Sequence, residues 1–283
     1  MNKSYSLHKI LSQENCPFSE AAYSEFKFGD KSHAKQFAKE LFEGFISEHR
    51  DLLLSTDDIV ILPSPYLSIP TASNFLCHYF KLELNHFLFE NNKKASIESK
   101  IYRNQTYVTD YGNLNYEERV KLISNDTYYI DRNFIGGKLC IFVDDIKITG
   151  SHEHTVNKIL NQYEVDGNFI FVYFAELANK DIHPNIENYY NYFAVKNVQD
   201  IVDLINKDDF HFNTRIVKYI LKMDEAEFLY LQGGIPKEKS DELFHLGVSN
   251  NYHQIDEYKN NINIIKKSLN HGNQFTKRTA REY

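Results

Sequence analysis

Two neighbouring carboxylates, Asp144 and Asp145, follow an uninterrupted apolar run, Leu139–Val143, and stand shortly before Thr149-Gly150-Ser151. Such a run reads as a strand buried on both faces of a parallel sheet. The stretch His152–Tyr163 reads as a helix, which makes Thr-Gly-Ser a loop at a helix N-terminus. A loop of that kind offers unpaired N–H groups and the positive end of a helix dipole, and both suit a phosphate. In an open α/β sheet, ligands gather beyond the carboxyl ends of the strands. One segment thus presents two acceptors for hydroxyl groups and, a few residues on, a cradle for an anion. A ribose 5-phosphate would satisfy both. Plainer readings exist for the same residues: a solvated strand end, or a displaced helix cap. A phosphatase-type nucleophile would need two aspartates separated by one residue, and these are adjacent. Adjacent carboxylates repel unless a cation or hydroxyl donors attend them.

The order of apolar strand, two acids, short spacer, Thr-Gly and a small hydroxyl residue resembles the phosphoribosyl-pyrophosphate (PRPP) signature of type I phosphoribosyltransferases. The resemblance implies that Asp144 and Asp145 hold the ribose 2′- and 3′-hydroxyls. It implies too that Ile148, Thr149, Gly150, Ser151 and His152 form the 5-phosphate loop. The pattern departs at His152, where that family usually has Thr. A second stretch, Pro63–Ser73, follows the apolar run Ile59–Leu62, and its Ser68-Ile69-Pro70-Thr71-Ala72 is similar to the family's pyrophosphate loop. Its Pro-Ser-Pro start resembles the ComF-like branch found in bacterial accessory operons. By that likeness Ser64, Tyr66 and Ser68 are candidate pyrophosphate contacts, although the stretch lacks the glycine that eases a strained loop. A proline-stiffened connector would look the same. The family places a further basic contact between the two loops, and Arg103 is the first candidate, Lys100 the second.

The resemblance further implies displacement of pyrophosphate from C1 of PRPP by a small-molecule acceptor, with PRPP bound as a Mg2+ complex. It leaves the acceptor unspecified, and a homodimer is compatible with it. The alternative is a non-catalytic regulator that binds PRPP or a nucleotide on the same fold; a structural relic is a third reading.

The chain has 283 residues, 42% of them hydrophobic and 14% aromatic, enough for a sizeable core. A formal net charge of -7 speaks against a nucleic-acid sleeve. Cys16, Cys77 and Cys140 are too scattered for a zinc pattern or a disulfide framework. Met1–Asn15 is polar and mixed and no apolar run reaches membrane length, so the expected location is the cytoplasm.

The elements that must position these residues read as follows. Tyr5–Leu11 is a short helix or arm, and Tyr23–Phe28 alternates like a strand. From Ser32 to about His49 an i, i+3, i+4 stripe predicts a helix capped by Asp30 or Ser32. His33 and His49 are surface residues of that helix. A helix follows Pro70; Tyr107–Asn115 is a loop, Tyr116–Ile123 a short helix, and Tyr128–Ile130 an edge segment. Phe169–Leu177 is another buried strand, with Glu176 at its end as a weak site candidate. Tyr192–Val195 is a short strand and Val198–Ile205 a helix capped from Asn197. From Lys207 the texture is helical and amphipathic, ending in a loose basic tail, His271–Tyr283. The expected fold class is α/β: a doubly wound parallel sheet of phosphoribosyltransferase type over residues 1–206, with an N-terminal strand and helix. A helical C-terminal extension occupies residues 207–283.

Overall fold

The computed structural model describes residues 3–103, 117–118 and 128–279. The expected loop Tyr107–Asn115 lies outside them, as does most of the expected helix Tyr116–Ile123. The chain runs through strand β1 (Lys3–Ile10) and helices α1 (Glu20–Lys27) and α2 (Lys31–Ser55). Strand β2 (Ile59–Pro63), helix α3 (Ala72–Glu90) and strands β3 (Ile97–Glu98), β4 (Tyr102–Arg103) and β5 (Tyr128–Tyr129) come next. Helix α4 (Arg132–Ile135) then leads into β6 (Leu139–Lys147), α5 (Ser151–Gln162) and β7 (Asn168–Leu177). The rest is helical: α6 (Ile186–Asn191), α7 (Val198–Ile205), α8 (Thr214–Leu221), α9 (Glu225–Gly234), α10 (Lys237–Ser249) and α11 (Asp256–Thr279).

Five strands form one sheet in the order β1-β7-β6-β2-β3, and every neighbouring pair is parallel. From β2 the chain crosses by α3 to β3 on one side. From β6 it crosses by α5 to β7 on the other. The winding direction therefore reverses between β2 and β6, which is where an open α/β sheet opens a crevice at its carboxyl edge. Helices cover both faces. Leu139, Ile141 and Val143 of β6 pack with α1, α2 and α3, whereas Cys140 and Phe142 pack with Val156, Ile159 and Leu160 of α5. A third apolar cluster joins Val195 to the faces of α7–α11 and draws in Phe28 and Ile69 from the α/β part.

Several elements differ from the sequence reading. Tyr23–Lys27 belongs to helix α1, with Phe28 its C-cap, because Ser19 caps the start by accepting from the Ala22 N–H and Tyr23, Phe26 and Lys27 form one buried face. The strand-like alternation there is incidental. The stretch read as a helix or arm, Tyr5–Leu11, lies up to Ile10 in the edge strand β1, held by pairing with β7. Tyr192–Val195 is a bend after α6 and not a strand. Aromatic residues there fill the space between α1 and α8, with Phe28 and Tyr192 ring centroids 5.4 Å apart. The helix α11 runs on to Thr279, into the stretch His271–Tyr283 read as a loose tail, whose last residues lie outside the described ones. Gly29, at φ +109°, turns α1 into α2, and a Cβ there would collide with the His211 carbonyl oxygen. Asp30 caps α2, accepting from the Ser32 and His33 N–H groups. No helix among the described residues is long and apolar enough to cross a membrane.

Candidate functional site

Strand β6 does not end at Val143. It runs on to Lys147, so Asp144 and Asp145 lie within the strand and obey its two-residue alternation. Their side chains point to opposite faces of the sheet and meet different company. Asp145 falls on the face of Ile141 and Val143, under α1. It is 5% exposed, and its Oδ2 accepts hydrogen bonds from the Lys27 ammonium and, at 2.8 Å, from the Tyr23 hydroxyl. Asp144 falls on the α5 face. Its Oδ1 accepts from the Ser64 hydroxyl at 2.9 Å, and its Oδ2 lies 2.9 Å from His152 Nδ1. The histidine contact is an ion pair by distance more than an aligned hydrogen bond.

Charge follows geometry. Burial alone would raise the Asp144 pKa, but the charge and contact of His152, with Lys27 and Ser64, hold it well below the usual carboxylate range. Asp145 ends above its ordinary value: burial raises it, Lys27 opposes, and the Asp144 charge raises it again. Burial would lower His152, yet Asp144 outweighs it and lifts the imidazole above its ordinary value. Tyr23 is pushed well up by burial and by Asp145, so its hydroxyl stays a donor.

Thr149, Gly150 and Ser151 form the expected turn into α5. Gly150 is the N-cap, with φ 75° and ψ 7°, a left-handed conformation that favours glycine. The Thr149 hydroxyl donates to Ser151 Oγ at 3.1 Å, and the Thr155 hydroxyl donates to the Ser151 carbonyl at 2.8 Å. Thr155 is thus a helix-turn residue of the cradle. Ile148 packs on the core below the loop. Across the crevice, Ser64 opens the β2–α3 connection. Ser73 donates to the Ser64 hydroxyl at 3.0 Å, which extends a row of hydroxyls to Asp144.

A cavity of about 630 Å³ joins these groups. Ser64, Arg103, Asp144, Asp145, Ile148, Thr149, Gly150, Ser151 and His152 all line it. Tyr66 and Ser68 do not. Tyr66 takes the Lys100 ammonium over its ring at 3.6 Å, so that lysine too is directed away from this cavity's lining. The Ser68 hydroxyl donates to the Ser249 carbonyl at 2.9 Å, fastening the loop to α10. Glu176 pairs with Lys9 and Ser6 at the sheet edge and takes no part. Glu25, Asp30 and His33 gather outside the cavity lining, where the Lys207 ammonium bonds both carboxylates.

The opposite wall was not read from sequence as part of the site. It comes from α8 and its C-cap, Lys222: Arg215, Lys218, Tyr219 and Lys222 line the cavity, beside Tyr192. Asn213 caps α8 and donates to the Lys27 carbonyl at 3.1 Å, and the Thr214 hydroxyl donates to the Ile69 carbonyl at 2.6 Å. These two bonds set the helix against the end of α1 and the β2–α3 loop. The signal in sequence is the i, i+3, i+4, i+7 spacing of the four residues, opposite the apolar Ile216, Val217, Ile220 and Leu221.

A parallel sheet reversing at β2 and β6, with a Thr-Gly-Ser cradle after the middle strand, defines an α/β fold of phosphoribosyltransferase type. A family model described as ComF-like phosphoribosyltransferase matches residues 1–265, and the chain belongs to that family. Among solved structures, an adenine phosphoribosyltransferase from Saccharomyces cerevisiae is similar at 15% identity and a TM-score of 0.29, over 56% of this chain and 74% of that one. A hypoxanthine phosphoribosyltransferase from Staphylococcus aureus gives 8% and 0.30, over 50% and 74%. A purine phosphoribosyltransferase from Pyrococcus horikoshii gives 13% and 0.29, over 53% and 80%. Likenesses so low add nothing to the family match. No curated protein matches the chain in sequence.

Proposed function

We propose that the protein binds PRPP and transfers its phosphoribosyl group to a nucleophilic acceptor, releasing pyrophosphate. The observation that carries this reading is the meeting of Asp144, the Thr149–Ser151 turn and the Ser64 hydroxyl in one cavity at the sheet's switch point. The turn offers N–H groups and a helix dipole to the 5-phosphate. Asp144 accepts from ribose hydroxyls, and Ser64, Thr71, Ser73 and Arg103, which line the same cavity, are the candidate contacts to the pyrophosphate. In the reaction the acceptor's lone pair bonds to C1 as the C1–O bond breaks, and that bond's electrons leave on pyrophosphate. A proton carried by the acceptor nitrogen passes to solvent. Catalysis of this kind is positioning together with stabilisation of separated charge. Magnesium would arrive on PRPP and supply charge neutralisation. Asp144 is the carboxylate suited to it, since a hard cation prefers oxygen ligands.

One observation favours the second reading, a non-catalytic PRPP- or nucleotide-binding regulator. Asp145 is already satisfied by Lys27 and Tyr23, which leaves one aspartate for the ribose where the family pattern has two acids. Calorimetric titration with magnesium and PRPP, followed by a pyrophosphate-release assay over a panel of acceptors, separates the two. Binding with turnover supports the transferase, binding without turnover the regulator, and no binding overturns both.

A further inference from the structure

Strands β4 and β5 form a short antiparallel ribbon, with Tyr102 opposite Tyr129 and Arg103 opposite Tyr128. Residues opposite each other on a ribbon share a face, and the next pair takes the other face. Arg103 and Tyr128 accordingly line the large cavity. Tyr102 and Tyr129 line a second, outer cavity of about 310 Å³, with ring centroids 6.0 Å apart. The base of the ribbon is fixed by Ile101, buried against Val60, Leu62 and Ile130. The Ser99 N–H adds a bond to the Ile61 carbonyl at 3.0 Å. Beyond the end of β2, Tyr66 of the β2–α3 loop forms a parallel bridge with Tyr102. The half-buried Lys100 closes this junction. Its ammonium lies 3.6 Å from the Tyr66 ring centroid and 5.4 Å from that of Tyr102, both within cation–π range. Glu98, the nearest carboxylate in sequence, is bonded instead to Lys81.

We infer that Lys100 is a positioning residue: clamped between Tyr66 and Tyr102, it ties the β2–α3 loop to the ribbon and so holds Arg103 toward the cavity that Ser64 also lines. The inference rests on the phosphoribosyl reading, with Arg103 as a pyrophosphate contact, and adds to it a residue that lies outside the cavity lining. Tyr66 stands two residues after Ser64, and Tyr102 one residue before Arg103. The clamp therefore joins the neighbours of two residues that reach one cavity from different elements. A bridge of a single residue pair is a weak ladder, and an ammonium shared by both rings gives the junction a second hold. Without that charge the loop and the ribbon are free to part, and Arg103 loses its fixed starting point.

A double-mutant cycle on Lys100→Met and Arg103→Ala tests it. The full-length proteins are titrated calorimetrically with magnesium-pyrophosphate, magnesium-PRPP and ribose 5-phosphate. Lys100→Met should weaken pyrophosphate and PRPP about tenfold, the size of a charge-assisted contact, and leave ribose 5-phosphate within about twofold. In the Arg103→Ala background the same change should cost nothing further, because the residue it positions is gone. Lys100→Arg, which keeps a cation for the rings, should restore binding. Tyr66→Leu opens the clamp from the loop side and should repeat the Lys100→Met pattern; it takes that variant's place in the cycle if Lys100→Met does not fold. Losses that add in the double variant overturn the inference, as does a ribose 5-phosphate affinity that falls as far as that of pyrophosphate. Failure of the wild-type protein to bind magnesium-PRPP overturns the phosphoribosyl reading instead. The clamp is then read without ligand, from the Arg103 side-chain N–H resonance, which should move on Lys100→Met and return on Lys100→Arg. A resonance that Lys100→Met leaves in place overturns the inference on its own.

Discussion

Asp144 and Asp145 are neighbours in sequence and strangers in space. One sits on the α5 face of the sheet among hydroxyls and a half-buried histidine; the other sits on the α1 face, bonded to a lysine and a tyrosine at the edge of the same cavity. A strand alternates its side chains, so any two consecutive acids on a sheet covered on both sides must part company in this way. The Asp145 niche is an architectural ion pair that closes the end of α1 over the sheet. The Asp144 pocket is open to the cavity and built of groups that a ligand can replace.

The sharpest way to break this contrast is to remove Lys27. Its side chain is 10% exposed and that of Asp145 7%, so Lys27→Met leaves a buried carboxylate without its cation. Breaking a buried pair from one side costs about 3–5 kcal/mol. The melting temperature should fall steeply, and Lys27→Met/Asp145→Leu should recover much of the loss. A Lys27→Met protein that melts like the parent would mean that the niche holds nothing together.

Asp144→Asn should act on stability and on ligand together. It removes the partner of His152 and Ser64 and so lowers stability, and PRPP affinity should drop about ten- to a hundredfold, the equivalent of a lost charged hydrogen bond of about 1.5–3 kcal/mol. Titration of both proteins with magnesium-PRPP checks it. If Asp144→Asn binds as the parent does, the ribose is held elsewhere.

Local pattern made half of this contrast legible and hid the other half. The apolar run of β6, the helix α5 and the Thr-Gly-Ser turn between them are short-range features, set by hydrophobic periodicity and by a glycine with φ 75°. Their placement in the cavity follows directly. The partner of Asp145 lies 118 residues away on a helix whose Tyr-Ser-Glu-Phe-Lys-Phe stretch alternates like a strand, and nothing local links the two. The α8 wall was half legible. Ile216, Val217, Ile220 and Leu221 announce an amphipathic helix, but the complementary polar face reads as solvated until Asn213 and Thr214 turn it toward the crevice. Ser64 and Ser68 show the same limit within one loop. Both are serines among prolines, and only the packing of α10 against the loop sends one to Asp144 and the other to Ser249.

The loop glycine sharpens the comparison at smaller scale. A Cβ on Gly150 would meet little, its nearest neighbour being the Lys147 side chain at 3.6 Å, so Gly150→Ala is resisted by backbone conformation and not by crowding. A left-handed alanine costs about 1–2 kcal/mol. A modest fall in urea midpoint is expected, with a larger loss of ribose 5-phosphate affinity as the turn relaxes. A drop in midpoint without loss of the ligand would show that the turn caps α5 and does not cradle phosphate.

The smallest expected effect separates the two aspartates by pH. His152 has a folded pKa above the value of about 6.5 that it would have in the unfolded chain, because the Asp144 charge outweighs burial. A group raised in this way contributes stability that is fully present below the unfolded pKa and is lost as pH rises through the folded one. Asp144 is depressed, so it stays charged throughout that window, and its own contribution disappears only far to the acid side. The niche around Asp145 contains no imidazole, and its Tyr23, pushed well up by burial and by Asp145, stays protonated well beyond neutrality. His152→Gln should therefore be less stable than the parent below about pH 6.5, and the gap should close as pH rises through the folded value of His152. Urea midpoints of the two proteins across that range read the difference directly. A gap that stays constant with pH would show that His152 stabilises the loop by packing alone, and the Asp144 pocket would then be held, like the Asp145 niche, by contacts that do not respond to protons.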